Sequence, residues 1–495
     1  MTEKYGVNVY PGPTKGSPPL SVDTEIIALI GCFPVDKATN PTKGHPLEWY
    51  ECNSWSDYKA AYGHEEFWGV DTLLRSAGFV TPKSAQRLIE GFALRPVLIY
   101  NIFDETNHTT PVVDENVTFA AGAGAVQPVA NDFALIDTFV IQDVTDTITY
   151  VEGVDYSLER NATTGKVEIT NLGAGIGTTD TVHVDYEYCD PTAVTTAQVK
   201  AGIDEVQNII TALGFAKLPG WIHCPKYSQV AISGTDPAAI RAQLLVNCNN
   251  LNEVFTTRAL YDIDETAYNV TVAAGSPDLT KIYDDKDVTS EHIRTLFAEG
   301  EMPGATEQLL SDWFLGLQTA EVAANQFPCV SPSNRLLSNY TPNNKMSFPT
   351  QSNSVRDKGI ICVCLDPGDR GWVLWGTWTS YFNGTQTDLR LDSTNQNDLQ
   401  NYLVKAITRD VWVQNTDRNF NKTTAEDFVD KWNGLGKQQV SKGKLLGWNL
   451  VFDPAENPDL SQYIKFNLSL LGPEPMKRTD VEMQIDLNYF STLFG

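Results

Sequence analysis

Positive charge is what this sequence most lacks. It carries 36 Lys and Arg against 62 Asp and Glu, a formal net charge of −26 at pH 7. Gripping a nucleic-acid backbone needs clustered cations, so that class of partner is excluded. Long apolar runs are missing as well. The most apolar short stretch, Ile26 to Ile30, has the length of a strand and not of a membrane span, so no membrane insertion is expected. The opening residues, MTEKYGVNVYPGP, contain no apolar leader core, and no secretory signal is expected there. The eight cysteines show no framework spacing. Cys362 and Cys364 lie two apart on an expected strand and share a face, but the other six are scattered. Buried reduced thiols fit this usage better than disulfides or a metal pair.

Catalytic templates are absent too. The sequence holds no P-loop, no His-Glu-x-x-His and no Gly-x-Ser-x-Gly. Gly173-Ala174-Gly175-Ile176-Gly177 misses the last glycine of a dinucleotide fingerprint and leads into a strand, so it reads as a turn. Asp262-Ile263-Asp264 and Asp284-Asp285-Lys286-Asp287 lack the glycine and closing Glu of a calcium loop. The six histidines sit far apart, as satisfied surface or core imidazoles do. We therefore expect no catalytic residue, no metal and no cofactor, and neither hydrolytic, redox nor nucleotide-binding activity.

What is present is ordinary globular material: 42% hydrophobic and 20% charged over 495 residues, enough for two to four domains with sizeable cores. The acid is unevenly spread. Residues 376–495 carry a net −3 and residues 1–375 the remaining −23. Solubility alone accounts for such acidity; a near-neutral C-terminal part held against partners is the sharper reading.

The first residues alternate Tyr5, Val7 and Val9, then meet Pro11, Pro13, Pro18 and Pro19: a short strand and an extended linker, residues 1–22. An α/β body begins at 23 with the buried strand Ile26-Ile27-Ala28-Leu29-Ile30-Gly31. Helical patches follow near 56–62, 69–78 and 83–92, then a strand at Pro96 to Phe103, and this first part runs to 109. Over 110–191 the helical period vanishes. Val182, Val184, Tyr186 and Tyr188 alternate with Thr181, His183, Asp185 and Glu187, and we expect an inserted all-β domain. Helical spacing returns after 192, where Val199, Ile203, Val206, Ile210 and Leu213 mark one face. Asp236-Pro237 opens a second helix that turns Ile240, Leu244, Cys248 and Leu251 inward. The body resumes over 192–375. Residues 376–478 form a C-terminal domain with helices near 396–413 and 423–434 and strands near 446–452 and 461–470. Residues 479–495 end the chain on a strand in which Val481, Met483, Ile485, Leu487 and Tyr489 alternate with Glu482, Gln484, Asp486 and Asn488. The expected fold class is multidomain α/β: a discontinuous body, an inserted β domain and a C-terminal α/β domain with strand-forming arms. Edge strands at both ends are a hazard unless a chain uses them, either another copy or their own.

The order of these pieces resembles the contractile tail sheath family of phages and R-type bacteriocins. Gly6-Val7-Asn8-Val9 and then Ile-Ile-Ala-Leu-Ile-Gly are similar to the family's opening strands. Gly153-Val154-Asp155-Tyr156-Ser157-Leu158, Gly165-Lys166-Val167-Glu168-Ile169 and Val182 to Tyr188 are similar to its inserted β domain. Pro219-Gly220-Trp221-Ile222-His223-Cys224-Pro225 looks like the strand that usually ends Ala-Pro-Gly, with Lys226 in place of that glycine. Arg258 to Asp262 looks like the next strand, with Ile263 where the family has Pro. Val330-Ser331-Pro332-Ser333-Asn334 and Leu374 to Thr379 resemble its Pro-Ser-Asn and Trp-Gly-Asn-Arg-Thr segments, with Thr377 and Trp378 replacing the Asn and Arg.

The resemblance implies a structural subunit with no enzymatic role. Such a subunit is made in a bacterial host cytoplasm and assembled into a virion tail or tail-like particle. Its partners would be other copies of itself in a helical stack of rings, an inner tube protein, and baseplate and tail-terminator proteins. The arm strands (Tyr5, Val7 and Val9; Val481, Met483, Ile485, Leu487 and Tyr489) would link subunits. Lys405, Arg409 and Arg418, or Lys431 and Lys437, are candidates to face the tube, with a solvated helix face as the alternative. Another tail, baseplate or capsid component, or a hydrolase using the acidic groups, are the competing readings.

Overall fold

A computed structural model describes residues 25–33, 46–62, 79, 81–104, 106–161, 164, 166–232, 234–252, 254–265, 279–302, 305–415, 422–453, 455–456 and 465–474. The body is built on short apolar strands that come early and late in the chain. β1 (Ile27–Gly31), β2 (Trp49–Cys52) and β3 (Val97–Asn101) precede the insertion. The insertion supplies β4 (Thr109–Thr118), β5 (Val126–Asp132), β6 (Val140–Asp143), β7 (Tyr156–Arg160), β8 (Lys166–Asn171) and β9 (Thr181–Cys189). After it come β10 (Trp221–His223), β11 (Arg258–Asp262), β12 (Ile293–Phe297), β13 (Gly300–Met302), β14 (Ala305–Gln308), β15 (Thr341–Pro342), β16 (Ile360–Leu365) and β17 (Trp372–Trp375).

One eight-stranded sheet collects the body strands in the order β17-β16-β12-β11-β10-β1-β3-β2. Its interior is parallel, and antiparallel β17 and β2 close the two edges. Parallel strands covered on both faces read as continuous apolar runs, and that is why Ile27–Gly31, Val97–Asn101 and Arg258–Asp262 are buried along their whole length. Alternate residues feed two cores. Ala28, Ile30, Leu98, Ile222 and Ala259 pack on Val199, Ile203, Ile240 and Leu244 of the helices Thr196–Asp204 and Pro237–Asn249. Ile27, Leu29, Val97, Ile99 and Leu260 pack on Tyr58, Ala85, Leu88, Trp313 and Phe314 from the opposite side.

Local chemistry sets the helix ends. Asp236 accepts from Ala238 N and Ala239 N at 3.0 and 3.3 Å with Pro237 in the first turn, as the sequence indicates. Thr195 and Gln198 form a reciprocal capping box. The helix expected to carry Val199 to Leu213 on one face is interrupted by a tighter turn, Glu205–Asn208, before Ile209–Leu213. A turn of three residues instead of 3.6 advances the phase, so Ile209 is buried while Ile210 and Leu213 are half-buried. The helix Leu310–Asn325 carries no clear period in its near-continuous apolar start and was not expected. Its Gly316 lies under Phe92, where a Cβ would come within 2.2 Å of the ring, so no larger residue fits.

The insertion folds on itself. Sheets β4-β9-β6 and β5-β8-β7 face one another over Phe119, Ile141, Val167, Ile169, Val182, Val184 and Tyr186. The alternation of Thr181–Cys189 appears directly as burial, with Val182, Val184 and Tyr186 inward. Phe133 and Cys189 instead join the body core, and Phe133 meets Phe79 edge to face at 5.5 Å.

The C-terminal part packs two long helices, Thr394–Asn415 and Lys422–Ser441, under a hairpin of β18 (Gly447–Phe452) and β19 (Phe466–Leu471). Phe327, Leu399, Leu403, Phe428, Trp432 and Leu450 form its core. Gly436 lets the Trp448 ring lie against the helix backbone, since a Cβ there would sit 2.0 Å from it. Among the described residues, no helix is long and apolar enough to cross a membrane.

A chain with 110–189 replaced by a short linker should still give a cooperative thermal melt and unchanged helical circular dichroism. Loss of cooperative melting would show that the insertion completes the body core rather than adding to it.

Candidate functional site

Open parallel sheets usually bind ligands where the strand order reverses. Here that point lies between β1 and β10, beyond their C-terminal ends, and it is filled. Cys32, Phe33, Cys224 and Tyr227 are all fully buried there. Burial pushes the Cys32 thiol well above its ordinary range, against a hydrogen bond with Tyr227. Asn101 seals the end of the sheet: its amide donates to Phe33 O at 3.0 Å and its carbonyl accepts from Phe33 N and Phe103 N at 2.9 and 3.0 Å.

Next to it, beyond β10 to β12, lies a buried acidic cluster. Asp262 accepts from Ser311 N at 3.0 Å, His223 Nε2 meets Asp312 Oδ1 at 2.9 Å, and Lys226 meets Glu299 Oε1 at 2.5 Å. Burial, countered in part by the Ser311 hydrogen bonds and reinforced by Glu299 and Asp312, pushes Asp262 up to about 7. Burial and Glu299 likewise hold Glu265 well above the carboxylate range, where Asn344 donates to it at 2.9 Å. Asp262, Glu265, Glu299 and Asp312 are each at most 5% exposed, and they are engaged with one another and with the helix start, as internal wiring is. On the insertion surface Asp114 and Asp146 converge on His183, at 3.6 and 2.8 Å from Nδ1. The Asp146 hydrogen bond, above all, raises the imidazole pKa.

The hairpin is different. Among the described residues β18 and β19 pair only with each other. Trp448, Leu450, Phe466, Leu468 and Leu470 turn toward the helices, while Asn449, Asn467 and Ser469 are exposed. Two strands alone are marginal, and their outer edges offer ready-made hydrogen-bonding partners. The arrangement is suited to accepting a strand. The segments expected to supply one lie outside the described residues: Tyr5, Val7 and Val9, and Val481, Met483, Ile485, Leu487 and Tyr489.

Solved contractile particles share this fold over almost the whole chain. A chain of the anti-feeding prophage baseplate matches with a TM-score of 0.54 at 11% identity, covering 98% of this chain and 100% of that one. The anti-feeding prophage helical sheath in its contracted state gives 0.52 at 13% identity, with the same coverage. A sheath tail protein of Desulfitobacterium hafniense gives 0.50 at 10% identity over 90% of this chain and 94% of its own. No protein-family model matches the chain. In sequence, the tail sheath protein of Burkholderia phage BcepMu is 24% identical over 515 residues, 99% of this chain and 98% of that protein. Over nearly its whole length the chain is similar to contractile tail sheath proteins.

The cations expected to face a tube fare unevenly in the fold. Lys405 is a correction: it is 1% exposed, and its ammonium donates to Pro219 O at 2.5 Å across the N-terminal ends of the body strands. Lys431 is committed to Asp410, at 2.7 and 2.9 Å from its two oxygens. Arg409 is half-buried, its guanidinium 5.9 Å from the Phe215 ring. Lys437 is exposed. Arg418 lies outside the described residues.

The raised Asp262 pKa gives the chain a pH signature. A carboxyl whose folded pKa exceeds the unfolded value is at no disadvantage below about pH 4, loses stability as pH climbs from about 4 to about 7, and carries the full cost above that. Asp262→Asn should therefore match the parent near pH 4 and exceed it by about 2–4 kcal/mol near pH 8 in urea titrations. An effect that does not change with pH would contradict the assignment.

Proposed function

We propose that this subunit polymerises as stacked rings around an inner tube and contracts to drive that tube through a target envelope. The observation that carries this reading is the two-stranded hairpin on the C-terminal part, in a chain whose two ends both have strand patterns. Strand addition satisfies the open edge with backbone hydrogen bonds, each worth roughly 0.5–1.5 kcal/mol net, and buries the added apolar face. One such link is modest, but a helical lattice repeats it at every subunit. The Pro-containing connectors, with Pro11, Pro13, Pro18 and Pro19 at one end and Pro473 and Pro475 at the other, would let bodies rotate while the links persist.

The partners are further copies of this chain, an inner tube protein, and baseplate and terminator proteins at the two ends of the stack. The fold shared with chains of a baseplate and of a contracted sheath supports the first and third of these. The strong acid excess suits a particle component that binds neither nucleic acid nor membrane. Synthesis in a host cytoplasm followed by assembly into a tail or tail-like particle fits eight buried cysteines that form no disulfide. The stored work lies in the packing of the extended lattice, so the subunit acts mechanically and not as an enzyme. For the tube-facing surface, Lys437 and Arg409 remain the candidates with charge to present.

Purified full-length protein should form hollow striated tubes in negative stain. Removing residues 1–20, or introducing Ile485→Asp with Leu487→Asp, should leave a folded monomer that makes none. Normal tubes from either variant would mean that the termini pair within their own subunit.

A further inference from the structure

The sequence contains two Asn-Gly pairs, Asn383-Gly384 and Asn433-Gly434. Such a pair can modify itself. The backbone nitrogen of the glycine, giving up its proton to solvent base, attacks Cγ of the asparagine. The new C–N bond closes a cyclic imide, and the carboxamide nitrogen leaves as ammonia. Water then opens the ring at either carbonyl, giving aspartate or isoaspartate. Glycine favours the attack because no Cβ obstructs it and its backbone turns freely. The reaction needs two freedoms: a carboxamide that can swing over the following peptide, and an N–H committed to no other group.

The fold separates the two pairs. At Asn433 neither freedom exists. Its Nδ2 donates to Leu450 O at 2.9 Å and its Oδ1 accepts from Leu450 N at 2.8 Å. Gly434 lies inside the helix Lys422–Ser441, where its N–H belongs to the backbone ladder. At Asn383 both freedoms exist. Asn383 and Gly384 are exposed, in the connection that follows β17. Among the described residues, Gly384 N–H donates to no group. Its φ of +83° suits glycine, and a Cβ there would meet only Asp357 O, at 3.6 Å. The residue before the pair is held fast: the Phe382 ring stacks on Trp378 at 4.2 Å, and its carbonyl accepts from Lys286 Nζ at 2.8 Å. The chain is thus anchored up to Phe382 and free directly after it. Lys358 Nζ lies 3.4 Å from Asn383 Oδ1, the oxygen that gains negative charge when Cγ is attacked. An ammonium placed where charge develops favours the step.

We propose that Asn383-Gly384 is a self-modifying site, converting in the folded chain to aspartyl and isoaspartyl forms with Lys358 assisting, while the fold keeps Asn433-Gly434 intact. The product puts a carboxylate where two ammonium groups meet. Lys286 Nζ donates to Lys358 O, and burial together with the Lys358 charge pushes Lys286 down to about 8. Among the described residues, neither ammonium lies within ion-pair distance of a carboxylate, and neighbouring Asp357 is taken by Arg356 at 2.9 Å. Conversion therefore relieves a like-charged pair. The isoaspartyl form also lengthens the backbone by an extra carbon, in the connection that leads from the body sheet to the helix Thr394–Asn415.

Peptide mapping by mass spectrometry tests this on full-length protein held in mildly alkaline buffer. The peptide carrying Asn383 should split progressively into aspartyl and isoaspartyl forms, the latter labelled by an isoaspartyl methyltransferase. The peptide carrying Asn433 should stay unchanged over the same period. In urea, where the hairpin and helix are lost, both peptides should convert. Lys358→Met should slow conversion at Asn383 in the folded protein, and Lys345→Met should leave it unaltered. An intact Asn383 peptide, or folded protein in which Asn433 converts as fast as Asn383, would overturn the site. An aspartyl product with no isoaspartyl form would overturn the backbone attack in favour of direct hydrolysis. A parental rate in Lys358→Met would overturn the assistance by that ammonium.

Discussion

Asp398 holds the two halves of this subunit together. Its Oδ1 lies 2.8 Å from both Arg258 and Arg294, at the starts of β11 and β12, and Gln318 donates to its other oxygen at 3.1 Å. Arg258 also meets Glu25 at 3.3 Å and lies 3.9 Å over the Trp221 ring, whose Nε1 donates to Glu25 at 2.7 Å. Two arginines face two carboxylates, so the buried cluster is neutral as a whole. Burial opposes the charge on both arginines. Asp398 and Glu25 together outweigh it at Arg258, which is held above its ordinary pKa, while at Arg294 burial wins and the pKa falls. A pair of this kind adds little against an apolar replacement, but removing one partner strands the others at a cost of about 3–5 kcal/mol. Its value is positional. It fixes the helix that starts at Thr394, and with it the β18-β19 hairpin, to the strands of the body.

The strand-linking proposal, in which the body rotates while its links hold, would need that rigidity. Load applied at β18 and β19 passes through Phe428, Trp432, Leu399 and Leu403 into the two long helices, and through Asp398 into the eight-stranded sheet. Asn401 and Lys405 continue the same helix face, bonding Thr256 Oγ1 at 2.6 Å and Pro219 O at 2.5 Å. The inserted β domain stands outside this path. Its strands close their own core, while Phe133 and Cys189 enter the body core and Leu135 packs against it.

The sequence made the parallel body and the insertion legible, because both write burial in a simple period. Runs such as Ile27–Gly31 are buried on both faces, and Thr181–Cys189 alternates as it is buried. Three things were hidden, each for a physical reason. Asp398, Asn401 and Lys405 look like a solvated helix face, and their burial depends on Arg258, Arg294 and Pro219, which lie far away in sequence. The helix Leu310–Asn325 begins as an apolar run with no period to distinguish it from a strand. The Asn433 and Gln396 carboxamides, which bond both backbone groups of Leu450 and of Gly472 respectively, are unremarkable until the backbone they face is known. Of the expected site, the hairpin is present; the arm strands fall outside the described residues.

The account stands or falls on whether the hairpin is completed by another chain. A cryo-EM reconstruction of tubes assembled from the full-length protein reads this directly. The prediction is a terminal strand from a second subunit added to the β18-β19 hairpin, so that every lattice contact of this type contains at least three paired strands. Tubes in which β18 and β19 remain a two-stranded hairpin, touching no terminal segment of a neighbour, would contradict it.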